Sequence, residues 1–144
     1  MKRFDAKAIM EILPHRDNML LVDEIKLIHE RQAEGRYFFR GDEWFFRGHY
    51  PQEPVVPGVI LCEIMAQTSC VLLQEKGKGG LPYLVSIDKA RFRQRVTPQK
   101  ACRTIVECLN GSSILPSVVG RLYVEDVLCA ECSLAFVFKG MESG

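Results

Sequence analysis

Two residues in this chain carry side chains suited to acid–base chemistry at a spacing that can bring them together: His49 and Glu63. His49 lies between Gly48 and Pro51, in a stretch from Arg47 to Gly58 whose prolines at 51, 54 and 57 predict a rigid, irregular loop. An imidazole held still there titrates near neutral pH and can take a proton from carbon. Glu63 interrupts the apolar run Val59–Leu73, where a buried carboxyl is costly unless it finds partners or holds a proton. One reading exposes it or pairs it with an arginine. The other makes it the acid to the base at His49. Gln67, Cys70 and Gln74 follow on the same helical face, a polar stripe of the kind that lines a cavity. Gly58 opens that helix, where backbone N–H groups favour negative charge developing on a carbonyl oxygen.

These residues need elements to hold them. Asp5 can cap a short helix over residues 5–12, with Ala8, Ile9 and Ile12 on one face and Pro14 ending it. Leu20 to about Ile28 and Gly35–Arg40 read as strands. Pro57 and Gly58 open the one long helix, which runs to about Lys76 and stops at the glycines that follow. It is apolar nearly all round, so it is predicted to be buried on most sides. Tyr83–Ile87, Lys89–Val96, Cys102–Leu109, Ser117–Val124 and Leu128–Phe138 read as strands, with turn signals at Asp88, Thr97-Pro98, Asn110-Gly111 and Glu125-Asp126. One buried helix with several strands on short turns predicts an α+β domain, an antiparallel sheet wrapped around a central helix. The 144 residues suffice for a single domain, residues 1–144.

Composition excludes several classes. With 19 basic and 18 acidic side chains the net charge is +1, which argues against a nucleic-acid binder. No segment reads as membrane-spanning or as a signal peptide, so a cytoplasmic protein is expected. The six cysteines are then thiols. Only Cys129 and Cys132 are spaced C-x-x-C, without a second pair to complete a metal site. His15 reads as structural and His29 as exposed at a strand end. Lys89, Arg91, Arg93 and Arg95 alternate with Ala90, Phe92 and Gln94, which on a regular strand places four cations on one face. Such a stripe either protects a sheet edge or docks an acidic partner.

Leu13-Pro14-His15-Arg16 followed by Leu20-Leu21-Val22-Asp23, then Glu43-Trp44-Phe45-Phe46-Arg47-Gly48-His49-Tyr50-Pro51 with Pro54-Val55-Val56-Pro57-Gly58-Val59, then Glu63 and Ala66-Gln67, resemble the (3R)-3-hydroxyacyl-[acyl-carrier-protein] dehydratases of the FabZ type. Ser86-Ile87-Asp88-Lys89-Ala90-Arg91-Phe92-Arg93 extends the match, which runs from about residue 9 to residue 138. The resemblance implies a hot-dog fold, with the long helix inside the sheet. It implies a homodimer with one continuous sheet, usually assembled as a hexamer of three dimers, and a tunnel at the dimer interface. Carried over, His49 removes the α-proton of a 3-hydroxyacyl thioester, and Glu63 of the partner subunit helps the hydroxyl leave as water. Gly58 donates its N–H to the thioester carbonyl, Gln67 orients Glu63 or a water, and Tyr83 gates the acyl tunnel. Arg91, Arg93 and Arg95 face the acidic acyl carrier protein. No metal or redox cofactor is implied, since the phosphopantetheine arm arrives with the substrate.

Some positions depart from the family pattern: Asp17-Asn18-Met19 for Tyr-Pro-Phe, Gln52-Glu53 for Gly-Asn, Gln99-Lys100 for Gly-Asp, and Asp126 for a turn glycine. None touches the acid–base pair. Three alternatives differ in chemistry: a dehydratase that also isomerises to a cis-3-enoyl product, a thioesterase, and a non-catalytic subunit of a heteromeric dehydratase. Glu63, where isomerising relatives usually carry aspartate, and the retention of both His49 and Glu63 favour simple dehydration.

Overall fold

The computed structural model describes residues 2–47, 52–76, 81–110 and 115–139. Their order is β1 (Lys2–Phe4), α1 (Ala6–Ile12), a 3-10 turn at Asp17–Met19, β2 (Glu24–His29), β3 (Gln32–Phe39), α2 (Trp44–Arg47), α3 (Gly58–Lys76), β4 (Leu81–Phe92), β5 (Lys100–Cys108), β6 (Ser117–Val124) and β7 (Val127–Lys139). The strands form one antiparallel sheet in the order β1-β2-β3-β5-β6-β7-β4. The chain therefore crosses from β3 through α3 to the far edge of the sheet before returning along β5, β6 and β7.

Period-two alternation gives the sheet its inner face: Ala33, Tyr37 and Phe39 on β3, Cys102, Thr104 and Val106 on β5, Val118 and Leu122 on β6, Ala130, Cys132, Leu134 and Phe136 on β7 are all buried. Against that face lies α3, buried as its all-round apolar sequence predicts; Val59 is its exposed apolar residue and Glu63 is partly open. Each fully buried leucine or isoleucine here is worth about 1.5–3 kcal/mol relative to exposure. Gly120 lets the helix sit close, since a Cβ there would lie 2.9 Å from Met65 Sδ. Thr68 and Ser69 return their hydroxyls to the Ile64 and Met65 carbonyls at 3.0 and 2.7 Å, which lets them be buried.

This is the hot-dog arrangement expected from the sequence. The Asp5 side chain caps α1 by accepting the Ala8 N–H at 2.9 Å. Glu125 and Asp126, at φ 52° and 65°, form the two-residue hairpin between β6 and β7.

Several boundaries differ. Asp88 is not a turn: β4 runs unbroken from Leu81 to Phe92, with irregularities at Leu84/Ser86 and Asp88/Arg91 and Lys89 at φ 54°. That bulge breaks the strict alternation expected of residues 89–95. Residues 20–23 precede β2 rather than belonging to it, because the Leu21 N–H is taken by the Gln67 side chain. Strand β1 and the turn of helix α2, which packs Phe45 and Phe46 edge-on to Phe39, carried no sequence expectation. The six thiols are free and buried, Cys129 and Cys132 included, and no metal-ligating cluster occurs among the described residues. No helix among them is long and apolar enough to cross a membrane.

Candidate active site

Glu63 opens onto a cleft of about 240 Å³ between α3, the loop after α1 and the start of β4. Its walls are mostly apolar: Leu13, Pro14, Ala66, Pro82, Leu84 and Phe136, with Tyr83 beside them. His15, Glu63, Gln67 and Cys70 supply the polar groups. The stripe expected on α3 is therefore real as far as Cys70.

The Gln67 amide is fixed from three sides. Its Oε1 accepts the Leu21 N–H at 2.9 Å, and its Nε2 donates to the Met19 carbonyl at 2.7 Å and to Glu63 Oε2 at 2.9 Å. The first bond settles which end of the amide is oxygen. Gln67 is buried, so the orientation cannot relax into solvent.

His15 is the residue that sequence reasoning missed. The sequence reads it as structural, yet its Nε2 lies 3.3 Å from Glu63 Oε2, with both side chains about a quarter exposed. Pro14 drives Leu13 into extended backbone and ends α1. Arg16 then stitches the loop: its guanidinium donates to the Leu13 and His15 carbonyls, both at 2.7 Å, and to the Met10 carbonyl at 2.9 Å. A short histidine-bearing loop is thereby aimed at the helix. The available signal was the Leu-Pro-His-Arg string itself, but nothing in it says which distant residue the imidazole meets.

Charge at the site follows from these contacts. Burial pushes the Glu63 carboxyl up, but the hydrogen bonds from His15 and Gln67 and the charge of His15 outweigh it and hold the group below the ordinary carboxylate range. Burial, and then the neighbouring Glu63 charge, push the Cys70 thiol up to about 12, so it stays protonated.

The other expected residues fall as follows. Tyr83 lines the cleft with Glu63 and Gln67. Gly58 begins α3 five residues before Glu63, outside the cleft wall, where a Cβ would meet the Phe92 ring at 3.0 Å. A side chain there would need the half-exposed Phe92 ring to give by a few tenths of an ångström. His49 lies outside the described residues. Arg93 folds onto Glu131 and Arg95 onto Glu53, each at 2.6 Å, while Arg91 makes no ion pair among the described residues. The strand expected to reach Val96 ends at Phe92, so Arg93 and Arg95 lie beyond β4, and the cations are not a uniform row.

Comparison with known proteins places the chain in a family. The FabA-like domain model matches residues 13–133. The 3-hydroxyacyl-[acyl-carrier-protein] dehydratase FabZ of Caldicellulosiruptor saccharolyticus is 37% identical over 139 residues, 94% of this chain and 99% of the relative. That of Bacillus subtilis is 36% identical over 92% of this chain and 96% of its own, and that of Desulforamulus reducens 40% identical over 92% and 95%. The chain belongs to the FabZ dehydratase family. Among solved structures, the dehydratase heterocomplex ApeI:P from Xenorhabdus doucetiae matches with a TM-score of 0.77 at 16% identity, over 92% of this chain and 91% of that one. The TT0310 protein of Thermus thermophilus matches at 0.63 and 15% identity, over 86% and 98%. At such identities these structures speak for the fold alone.

Two departures from the FabZ pattern acquire a physical meaning here. Gln99 and Asp126, where the resemblance leads to an expectation of glycine, both have positive φ, 66° and 65°. Left-handed backbone of this kind suits glycine best. Asp17, a third departure, also has a positive φ of 53°.

Proposed function

We propose that the chain is a 3-hydroxyacyl-acyl-carrier-protein dehydratase, converting (3R)-3-hydroxyacyl thioesters to trans-2-enoyl thioesters in fatty-acid synthesis in the cytoplasm. The observation that carries the reading is Glu63, a carboxylate held by His15 and Gln67 at the mouth of an apolar cleft in a chain of the FabZ family. The cleft suits an acyl chain and the carboxyl suits its 3-hydroxyl.

In the proposed reaction His49 takes the proton from C2, and the electron pair forms the C2–C3 double bond as the C3–O bond breaks. Glu63 gives a proton to the departing hydroxyl, which leaves as water. In the free protein Glu63 rests ionised; an acyl chain filling the cleft strips water from it and pushes the carboxyl up, so it takes its proton as substrate binds. The Gly58 N–H supports the thioester carbonyl as charge develops on it. Gln67 fixes Glu63, and Tyr83 borders the path of the acyl chain. No metal or redox step enters.

The partner that completes the site is a second copy. β4 ends the sheet, and its Tyr83, Leu84, Val85, Ile87 and Phe92 are about half exposed. A long apolar edge strand of this kind requires cover. Pairing two β4 edges would continue the sheet, close the cleft beside Tyr83 and Leu84, and let His49 of one subunit meet Glu63 of the other. Three such dimers would give the family's usual hexamer. Arg91, at the end of β4, with Arg93 and Arg95 just beyond it, would receive the acidic carrier protein.

The test is product analysis by chromatography and mass spectrometry after incubation with 3-hydroxyacyl-carrier substrates of several lengths. A trans-2-enoyl product supports the reading. A cis-3-enoyl product moves the chain to the isomerising branch, and no product with any substrate refutes the activity.

A further inference from the structure

Both polar side chains that reach Glu63 from described residues converge on one oxygen, Gln67 by a hydrogen bond and His15 by a close contact. Gln67 Nε2 donates to Oε2 at 2.9 Å, and His15 Nε2 stands 3.3 Å from the same atom. Among the described residues none bonds Oε1. The donors come from different directions, one from the helix turn below and one from the loop after α1. Gln67 alone would leave the carboxyl free to swing, because the terminal torsion of glutamate is broad and two-fold. The Gln67 bond and the His15 contact on one oxygen remove that freedom.

The state of His15 follows from its other nitrogen. Nδ1 is buried without a hydrogen-bond partner among the described residues. A proton placed on Nδ1 in the neutral ring would be buried and unsatisfied, so the neutral tautomer carries its hydrogen on Nε2, where Glu63 accepts it. His15 Nε2 thus faces Oε2 as a donor, and the Arg16 bonds to the Leu13, His15 and Met10 carbonyls hold the loop that aims it.

We propose that His15 is a positioning residue for the dehydration, pinning Glu63 Oε2 together with Gln67 so that Oε1 is the oxygen presented to the substrate hydroxyl. This rests on the dehydratase reading and adds which oxygen works and what aims it. The proton that Glu63 delivers sits on Oε1, because Oε2 already accepts the Gln67 N–H and faces the His15 Nε2. After transfer the carboxylate charge is met at Oε2 without any group moving. Such an arrangement stabilises the product of proton transfer in advance, as preorganised donors do.

The experiment compares wild type, His15→Leu and His15→Gln on a carrier-bound 3-hydroxyacyl substrate, with melting temperatures measured alongside. Leucine keeps the bulk and lacks the donor, whereas the glutamine amide reaches the position of Nε2 and restores it. Expected is a loss of about 10- to 100-fold in kcat for His15→Leu, the scale of a misplaced reacting group, with KM nearly unchanged and most of kcat regained by His15→Gln. Wild-type kcat in His15→Leu overturns the inference, as does an equal loss in both variants that tracks a common fall in melting temperature. Should His15→Leu fail to fold, His15→Asn replaces it. Its shorter amide cannot reach Oε2 and must lose the same kcat, so normal turnover there is equally fatal. An inactive wild type would instead take down the dehydratase reading, and this inference with it.

Discussion

Replacing Gln67 with leucine separates what this amide does for the fold from what it does for the carboxyl. The substitution conserves volume, so little cavity term is expected. It removes three hydrogen bonds: the one from the Leu21 N–H, the one to the Met19 carbonyl and the one to Glu63. A buried backbone group left without a partner costs about 1–3 kcal/mol, and a hydrogen bond to a charged group contributes about 1.5–3 kcal/mol. Because the Met19 carbonyl and Glu63 remain partly open to water, the lower halves of these ranges apply to them, and about 3.5–7 kcal/mol is expected in total. Urea denaturation followed by circular dichroism, at fixed protein concentration, measures it. The pH dependence divides it. The Glu63 carboxyl is lowered in the fold, so its contribution is present above the ordinary carboxyl pKa and is lost as pH falls through the depressed folded value. The gap between wild type and Gln67→Leu should therefore narrow in acid by the Glu63 share, while the share from Leu21 and Met19 persists. A total below about 0.5 kcal/mol, the range of an ordinary surface change, would refute the account of Gln67 as a buried clip between α3 and the preceding segment. A gap that widens on acidification would refute the sign assigned to Glu63.

Three further outcomes are expected. His49→Ala and Glu63→Gln should each lower turnover by about 100-fold or more, and mixed dimers of the two inactive variants should recover part of it; no recovery in demonstrably mixed dimers argues against a shared site. Arg91→Glu, which breaks no ion pair among the described residues, should raise KM several-fold for carrier-bound substrate and leave short coenzyme A thioesters unchanged, and equal loss on both would point to misfolding. Gln99→Gly and Asp126→Gly should each stabilise the fold by about 0.5–1 kcal/mol in urea titrations, since both residues have left-handed backbone; a loss of stability in either would show that its side-chain contacts outweigh the strain.

The long helix was legible because its signal is local. Proline and glycine at its start, apolar residues on every face and a glycine stop identify α3 without reference to any other segment, and its span Gly58–Lys76 follows. β6 and β7 were equally plain, since alternating burial is written directly in their residues. Local pattern divides β4 into two strands because Asp88 carries a turn signal; pairing with β7 on both sides of the bulge keeps the backbone extended through it. The basic residues suffered from the same gap: strict alternation assumes a regular strand, and the bulge at Lys89 with the ion pairs of Arg93 and Arg95 removes that regularity.

For the site, the sequence by itself determined that Glu63 is an anomaly on a core helix and that Gln67 shares its face, because a spacing of four residues is a fixed geometric relation on any helix. Tertiary structure alone decided that the imidazole meeting that carboxyl is His15, that the Leu21 and Met19 backbone orients Gln67, and that these contacts hold the Glu63 carboxyl below its ordinary range in the free protein. The physical reason is that helical periodicity places neighbours within one segment. Contacts between segments are set instead by how α1, its proline-terminated loop and β4 close around α3, and no local pattern encodes that meeting.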